Sequence, residues 1–159
     1  MNFAFYVSGN AGTLKKILKN NSPVLKDTKV VIIDSKPSKD LFRYLETLID
    51  VFKNKIINFH PSILPLYPGV KSIDQAIKDD KSILIGNTAH FIDKGIDTGP
   101  IIIQSIAPKS LFKSKGYDGI INLQLPMLDF IYEKLLKNKI TIKDNKVTVN
   151  NTTCEPQFF

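Results

Sequence analysis

Apolar and polar positions alternate between two periods along this chain, and the alternation predicts most of its elements. "FAFYVSGN" (3–10) is rich in strand formers and ends in turn residues. "AGTLKKILKN" (11–20) follows, with Leu14, Ile17 and Leu18 at helical spacing. "KVVIID" (29–34) is a continuous apolar run, the pattern of a strand buried on both faces. "SKDLFRYLETLIDVF" (38–52) carries Ser38 as a helix cap and Leu41, Leu45, Leu48 and Ile49 on one stripe. "KIINFH" (55–60) predicts a third strand, and "GVKSIDQAIKDD" (69–80) a helix capped by Ser72. "SILIGNTAHFID" (82–93) and "GPIIIQSIA" (99–107) predict two strands joined by a glycine-rich loop. "GIINLQLPMLDFIYEKLLKNK" (119–139) predicts a long helix broken or kinked near Pro126, and "ITIKDNKVTVNN" (140–151) a hairpin about "KDNK".

Strands alternating with helices predict an α/β fold, a three-layer sandwich with a mainly parallel sheet. The 159 residues suit one domain over 1–140, with 141–159 as a hairpin and tail packed on it. In such sheets ligands bind beyond the carboxyl ends of the strands, where "SGN" (8–10), "NFH" (58–60) and "DKGIDTG" (93–99) are expected to gather.

Composition narrows the classes. No apolar run approaches the roughly 18 residues of a membrane span. The sequence contains one cysteine, Cys154, so neither an intrachain disulfide nor a cysteine-cluster metal site is available. With no basic region ahead of "NFAFYV", a cytoplasmic setting is expected. The formal charge is +7, yet its excess is scattered lysine and Arg43 is the sole arginine. Sequence-specific nucleic-acid surfaces favour clustered arginine with stacking aromatics, so a solvated surface or an anionic small-molecule substrate fits better.

Candidate chemistry starts at "NFHPSILPLYPG" (58–69). Pro61, Pro65 and Pro68 forbid helix and disfavour sheet, so a rigid loop begins with Asn58 and His60. Strand alternation sets those two side chains on one side. One reading is a turn that satisfies its own backbone. The other adds Asp97 as the partner of His60 and makes an amide donor, an imidazole and a carboxylate, a set suited to an acyl-transfer transition state. No serine or cysteine nucleophile is needed when the substrate supplies an amine. His90, inside an apolar stretch, reads as a half-buried strand residue, and two histidines in different strand settings lack zinc-ligand spacing.

"INFHPSILPLYPG" (57–69) followed by "GNTAHFIDKGIDTGPIIIQ" (86–104) resembles the folate-dependent formyltransferase family, and "YVSGNAGTL" (6–14) resembles its first phosphate-binding loop. The resemblance covers roughly 1–20 and 40–140, and the stretch before Asn58 is shorter than the family's. It implies a formyltransferase-like fold and N-formyl transfer from 10-formyltetrahydrofolate to a primary amine, with no metal. Asn58, His60 and Asp97 would be catalytic. Arg43, Leu45, Asn58, Asp93 and Asp97 would contact the folate, and Ala11, Gly12, Thr13 and Gln124 the acceptor. A phosphorylated acceptor as in glycinamide ribonucleotide transformylase comes first, a nucleotide-linked amino sugar second, and a catalytically silent folate- or nucleotide-binding module third. Partners would be small molecules, with neither nucleic acid nor membrane, and a homodimer is left open.

Overall fold

The computed structural model describes residues 3–8, 12–34, 49–150 and 152–153. The helix expected over 38–52 falls largely outside them. Two short apolar runs make the first unit. β1 (Phe3–Ser8) and β2 (Thr28–Asp34) pair in parallel, with Ala4 opposite Val30 and Ser8 opposite Asp34. Between them lie α1 (Gly12–Lys19) and a 3-10 turn (Pro23–Asp27).

The second sheet is built from β3 (Ile57–His60), β4 (Leu84–Phe91) and β5 (Ile101–Pro108), in that order. Both of its pairings are antiparallel. This corrects the expectation of a mainly parallel sheet: among the described residues only β1 and β2 pair in parallel. For β4 and β5 the reason is the length of the connection. Residues 92–100 are all that separates β4 from β5, fewer than the dozen or so a parallel crossover needs.

α2 (Ser72–Lys78) and the long α3 (Ser110–Leu136) pack on one face of this sheet. Ala89, Phe91 and Ile102 of the strands meet Met127 and Ile131 of α3, while Ala76 of α2 meets Ile85, Ala107 and Ile120. α1 docks on the same long helix, with Ile17 against Leu128 and Tyr132. Lys16 Nζ reaches Asn122 Oδ1 at 2.6 Å, and Ser22 Oγ donates to Asp129 Oδ1 at 2.5 Å. The second helical layer of a sandwich is not carried by α1, α2 or α3.

The helix break is at Gly116 (φ 57, ψ −149), not at Pro126. Pro126 and Asn122, whose carbonyl loses its helical partner, are both exposed, so the helix passes through the proline without burying a polar orphan. Ser72 is likewise not the cap of α2. Lys71 takes the cap position in a left-handed conformation, and Ser72 Oγ instead reaches the Pro61 carbonyl at 3.4 Å.

β6 (Ile140–Lys143) and β7 (Lys146–Val149) form the expected hairpin, extended by β8 (Thr152–Thr153). Asp144 and Asn145 sit at φ 50 and φ 61, as a two-residue turn of this hand requires. Val147 and Val149 enter the same core cluster as Ala89 and Ile102.

Candidate active site

Register decides which side chains meet. Asn58 lies opposite His90, and His60 opposite Thr88. Alternation sends these four to one face, while Phe59 and Ala89 between them enter the core under α3. His60, Thr88 and His90 are each 5% exposed or less.

Asp97 completes the group from the 92–100 loop. It adopts φ 54, a left-handed conformation that aspartate tolerates better than most residues. Its Oδ2 accepts from Gly69 N at 2.7 Å and lies 3.2 Å from His60 Nδ1. Its Oδ1 lies 3.5 Å from both Asn58 Nδ2 and His90 Nε2. One carboxylate thus touches all three of the neighbouring polar side chains. Gly99 lets the loop close, because a Cβ there would stand 1.8 Å from the Phe91 carbonyl oxygen.

The imidazoles are constrained at their second nitrogens. His60 Nε2 faces the Tyr67 carbonyl at 3.0 Å, and His90 Nδ1 faces the Phe91 carbonyl at 2.9 Å. A carbonyl can only accept, so each of these nitrogens donates. His90 Nε2 lies 3.4 Å from Asn58 Nδ2, a donor, and 3.5 Å from Asp97 Oδ1, an acceptor, so its role follows from whether it carries a proton. Both nitrogens of His60 face acceptors, the Tyr67 carbonyl and the Asp97 carboxylate.

The proline loop is fixed by side chains as much as by its rings. Thr88 Oγ1 donates to Ser62 O at 2.8 Å and accepts from Leu64 N at 3.0 Å. Gln104 Nε2 reaches both Leu64 O and Thr88 Oγ1 at 2.8 Å, and Ser62 Oγ donates to Leu66 O at 2.6 Å. At the end of the loop, Tyr67 donates its phenol proton to Asp79. That bond holds the Asp79 carboxyl below its ordinary range and, with burial adding to it, lifts the Tyr67 phenol above its own.

Other expected residues fall elsewhere. Asp93 braces its own loop, with Oδ1 accepting from Gly95 N at 3.0 Å and Thr98 Oγ1 at 2.8 Å. Gln124 sits on α3 and donates to Asn87 Oδ1 at 2.9 Å, on the face of β4 turned away from Thr88 and His90. The structure therefore does not bring Gln124 to the polar group. Gly12 and Thr13 open α1, whereas Ala11, Arg43 and Leu45 lie outside the described residues. His90 was missed. Its signal was the register, since a strand antiparallel to "INFH" must set a residue of "GNTAHF" opposite Asn58. Although two imidazoles and a carboxylate meet here, no three His, Cys, Asp or Glu among the described residues are arranged to hold a metal ion. No helix among them is long and apolar enough to cross a membrane.

Comparison with known proteins bears on the same segment. The sequence pattern of the family described as "Formyl transferase" matches residues 44–109. A phosphoribosylglycinamide formyltransferase of Bacillus subtilis (strain 168) is 46% identical over 59 residues, 37% of this chain and 30% of that protein. A formyltetrahydrofolate deformylase of Haemophilus influenzae is 47% identical over 55 residues, 35% of this chain and 19% of that one. The match thus spans less than a third of either curated relative. Among solved structures, the phosphoribosylglycinamide formyltransferase from Anaplasma phagocytophilum superposes with a TM-score of 0.72 at 20% identity, covering 92% of this chain and 91% of that one. An N-formyltransferase from Helicobacter canadensis, in complex with folinic acid and dTDP-3-aminofucose, gives 0.58 at 23% identity, covering 87% and 65%. The chain resembles the formyl transferase family in sequence over the segment that holds its buried polar group, and shares the fold of those solved structures over most of its length.

Proposed function

We propose that this protein transfers the formyl group of 10-formyltetrahydrofolate to the primary amine of phosphoribosylglycinamide. One observation carries the reading: Asp97 bridges His60 Nδ1, at 3.2 Å, and Gly69 N, at 2.7 Å, beside the Asn58 amide on a buried face. In such a reaction the acceptor nitrogen attacks the formyl carbon and its oxygen gains charge. Asn58 Nδ2–H is the donor placed to stabilise that oxygen, an interaction worth about 2.7–4 kcal/mol when preorganised. The attacking amine must lose a proton and the folate N10 must gain one as its bond to carbon breaks. Asp97 takes the first and the His60–Asp97 pair returns the second, so the enzyme ends unchanged. Val70 and Ile96 flank the turn and loop that meet at Asp97, 84% and 75% exposed, and offer apolar surface to a flat ring.

Two relatives favour other substrates: the amino-sugar enzyme keeps the chemistry and changes the acceptor, and the deformylase replaces the amine with water. The test is to supply 10-formyltetrahydrofolate with phosphoribosylglycinamide, with dTDP-3-aminofucose, or with no acceptor, and to follow tetrahydrofolate and the formylated product. Tetrahydrofolate released only with phosphoribosylglycinamide supports the proposal. Formylation of the sugar, or formate release without acceptor, would transfer it to the corresponding alternative. No turnover and no folate binding at millimolar concentration would leave a silent module.

A further inference from the structure

Tyr67 packs against the Ala76–Ile85 core cluster and Asp79 ends α2, and neither reacts in the chemistry above. The turn that Tyr67 begins nevertheless holds both members of the central pair. The Tyr67 carbonyl accepts from His60 Nε2 at 3.0 Å, and two residues on Gly69 N donates to Asp97 Oδ2 at 2.7 Å. The Asp97–His60 contact at 3.2 Å closes the ring. A shift of this turn therefore moves imidazole and carboxylate together.

Tyr67 occupies an unfavourable conformation to do this. It stands at φ 55, a region costly for a bulky residue, and it precedes Pro68, which restricts its backbone further. Such a conformation persists only where the surroundings over-determine it. The ring packs against the Ala76–Ile85 core cluster, and the phenol is held by Asp79, with the Ser82 hydroxyl as a second partner. Asp79 is itself pinned: it caps the end of α2 with its N–H on Gln75 O at 3.1 Å, and its Oδ1 accepts from Lys81 N at 2.9 Å. Its carbonyl accepts from Lys109 Nζ at 2.7 Å and from Ser82 N at 3.1 Å.

We infer that the Tyr67–Asp79 bond is a strut that positions His60 and Asp97, making Tyr67 and Asp79 positioning residues for formyl transfer. The inference rests on the proposed function for its kinetic meaning but on the geometry alone for its structural one. The strut needs an acceptor at position 79, not a charge.

The experiment compares Tyr67→Phe, Asp79→Ala, Asp79→Asn and the double variant Tyr67→Phe/Asp79→Ala. The measurements are steady-state kinetics and the ¹⁵N resonances of the His60 ring. Removing the strut is expected to lower kcat about tenfold, since small misplacements of reacting groups are costly, with KM for the folate and the acceptor unchanged within about twofold. Asp79→Asn keeps an acceptor for the phenol and is expected to retain most of the rate. The double variant should be no worse than Tyr67→Phe alone, because that loss already removes the phenol–Asp79 bond. The His60 Nε2 resonance should move in Tyr67→Phe and Asp79→Ala but not in Asp79→Asn. Full rate and an unmoved resonance in Tyr67→Phe would overturn the strut while leaving formyl transfer standing. Additive losses in the double variant would overturn it too. If the wild-type protein transfers no formyl group to any acceptor, the ring resonance alone decides: its movement sustains the strut, and its constancy removes it.

Discussion

β4 presents two faces, and both bury polar side chains. On one, Asn87 is bonded to the Ile120 carbonyl at 3.0 Å and to Gln124 at 2.9 Å beneath α3. On the other, Thr88 and His90 join Asn58, His60 and Asp97 under two loops. Every fully buried side-chain polar atom among the described residues has a partner, so satisfaction does not separate the faces. What separates them is the covering. Asn87 is sealed by a helix packed through apolar residues, and its bonds complete a core. His90 is sealed by loops, and Val70 and Ile96 beside them are exposed. Under the proposed function the polarity beneath α3 is architecture, and the polarity beneath the loops serves the chemistry.

This contrast can be broken by substitutions on each face. The largest effect is expected from Asp97→Asn, which keeps the shape and removes the charge beside His60. The rate should fall by about 10²–10⁴, with circular dichroism and melting unchanged. Asn58→Ala follows, losing the oxyanion donor for about 10²–10³ in kcat. On the α3 face the currency changes from rate to stability. Asn87→Val should cost about 1–3 kcal/mol in a denaturant melt, because Gln124 loses its acceptor and the Ile120 carbonyl its donor. Formyl transfer by that variant should stay near wild type, and a large loss of kcat with unchanged stability would erase the distinction between the faces.

The smallest effect is expected far from both. Glu133 on α3 accepts from Lys137 Nζ at 2.7 Å and Lys134 Nζ at 3.2 Å, which holds its carboxyl below the ordinary glutamate range. A depressed folded value means the contribution is present above the unfolded value and lost as pH falls through the folded one. Glu133→Gln should therefore cost a small amount of stability at neutral pH, small because the pair is exposed, and converge on wild type as pH falls through the folded value, read from melts across a pH series.

The same faces mark what the sequence made legible. Asn58, His60 and Asp97 were readable because the loop residues around them, three prolines and the "DKGIDTG" run, have no better explanation as helix or strand. His90 lies in a strand as expected, but its meeting Asn58, like Gln124's turning to Asn87, could not be read for one shared reason. Both depend on which face of β4 meets which neighbour, β3 or α3, and strand–helix order alone does not specify that. The length of the "DKGIDTG" connection already excluded a crossover there, and that clue outweighs the α/β rhythm of the whole chain. The break in α3 shows the limit of single-residue rules: Pro126 is accommodated on an exposed stripe, while the chain parts at Gly116, where positive φ is free. Tyr67 carries no sequence signal at all, since its role depends on a carbonyl.

The order of contacts along the chain also bears on how the molecule assembles. The polar group closes over short spans: 7 residues from His60 to Tyr67, 28 from Gly69 to Asp97 and 39 from Asn58 to Asp97. Docking of α1 instead joins residues more than 100 apart, Lys16 to Asn122 and Ser22 to Asp129. Each doubling of a loop adds only about 0.6 kcal/mol of closure entropy, but that entropy is lost before any contact repays it. The segment from Asn58 to Asp97 is thus expected to form ahead of the N-terminal docking, and pulse-labelled amide exchange during refolding should protect β3 and β4 first and α1 last.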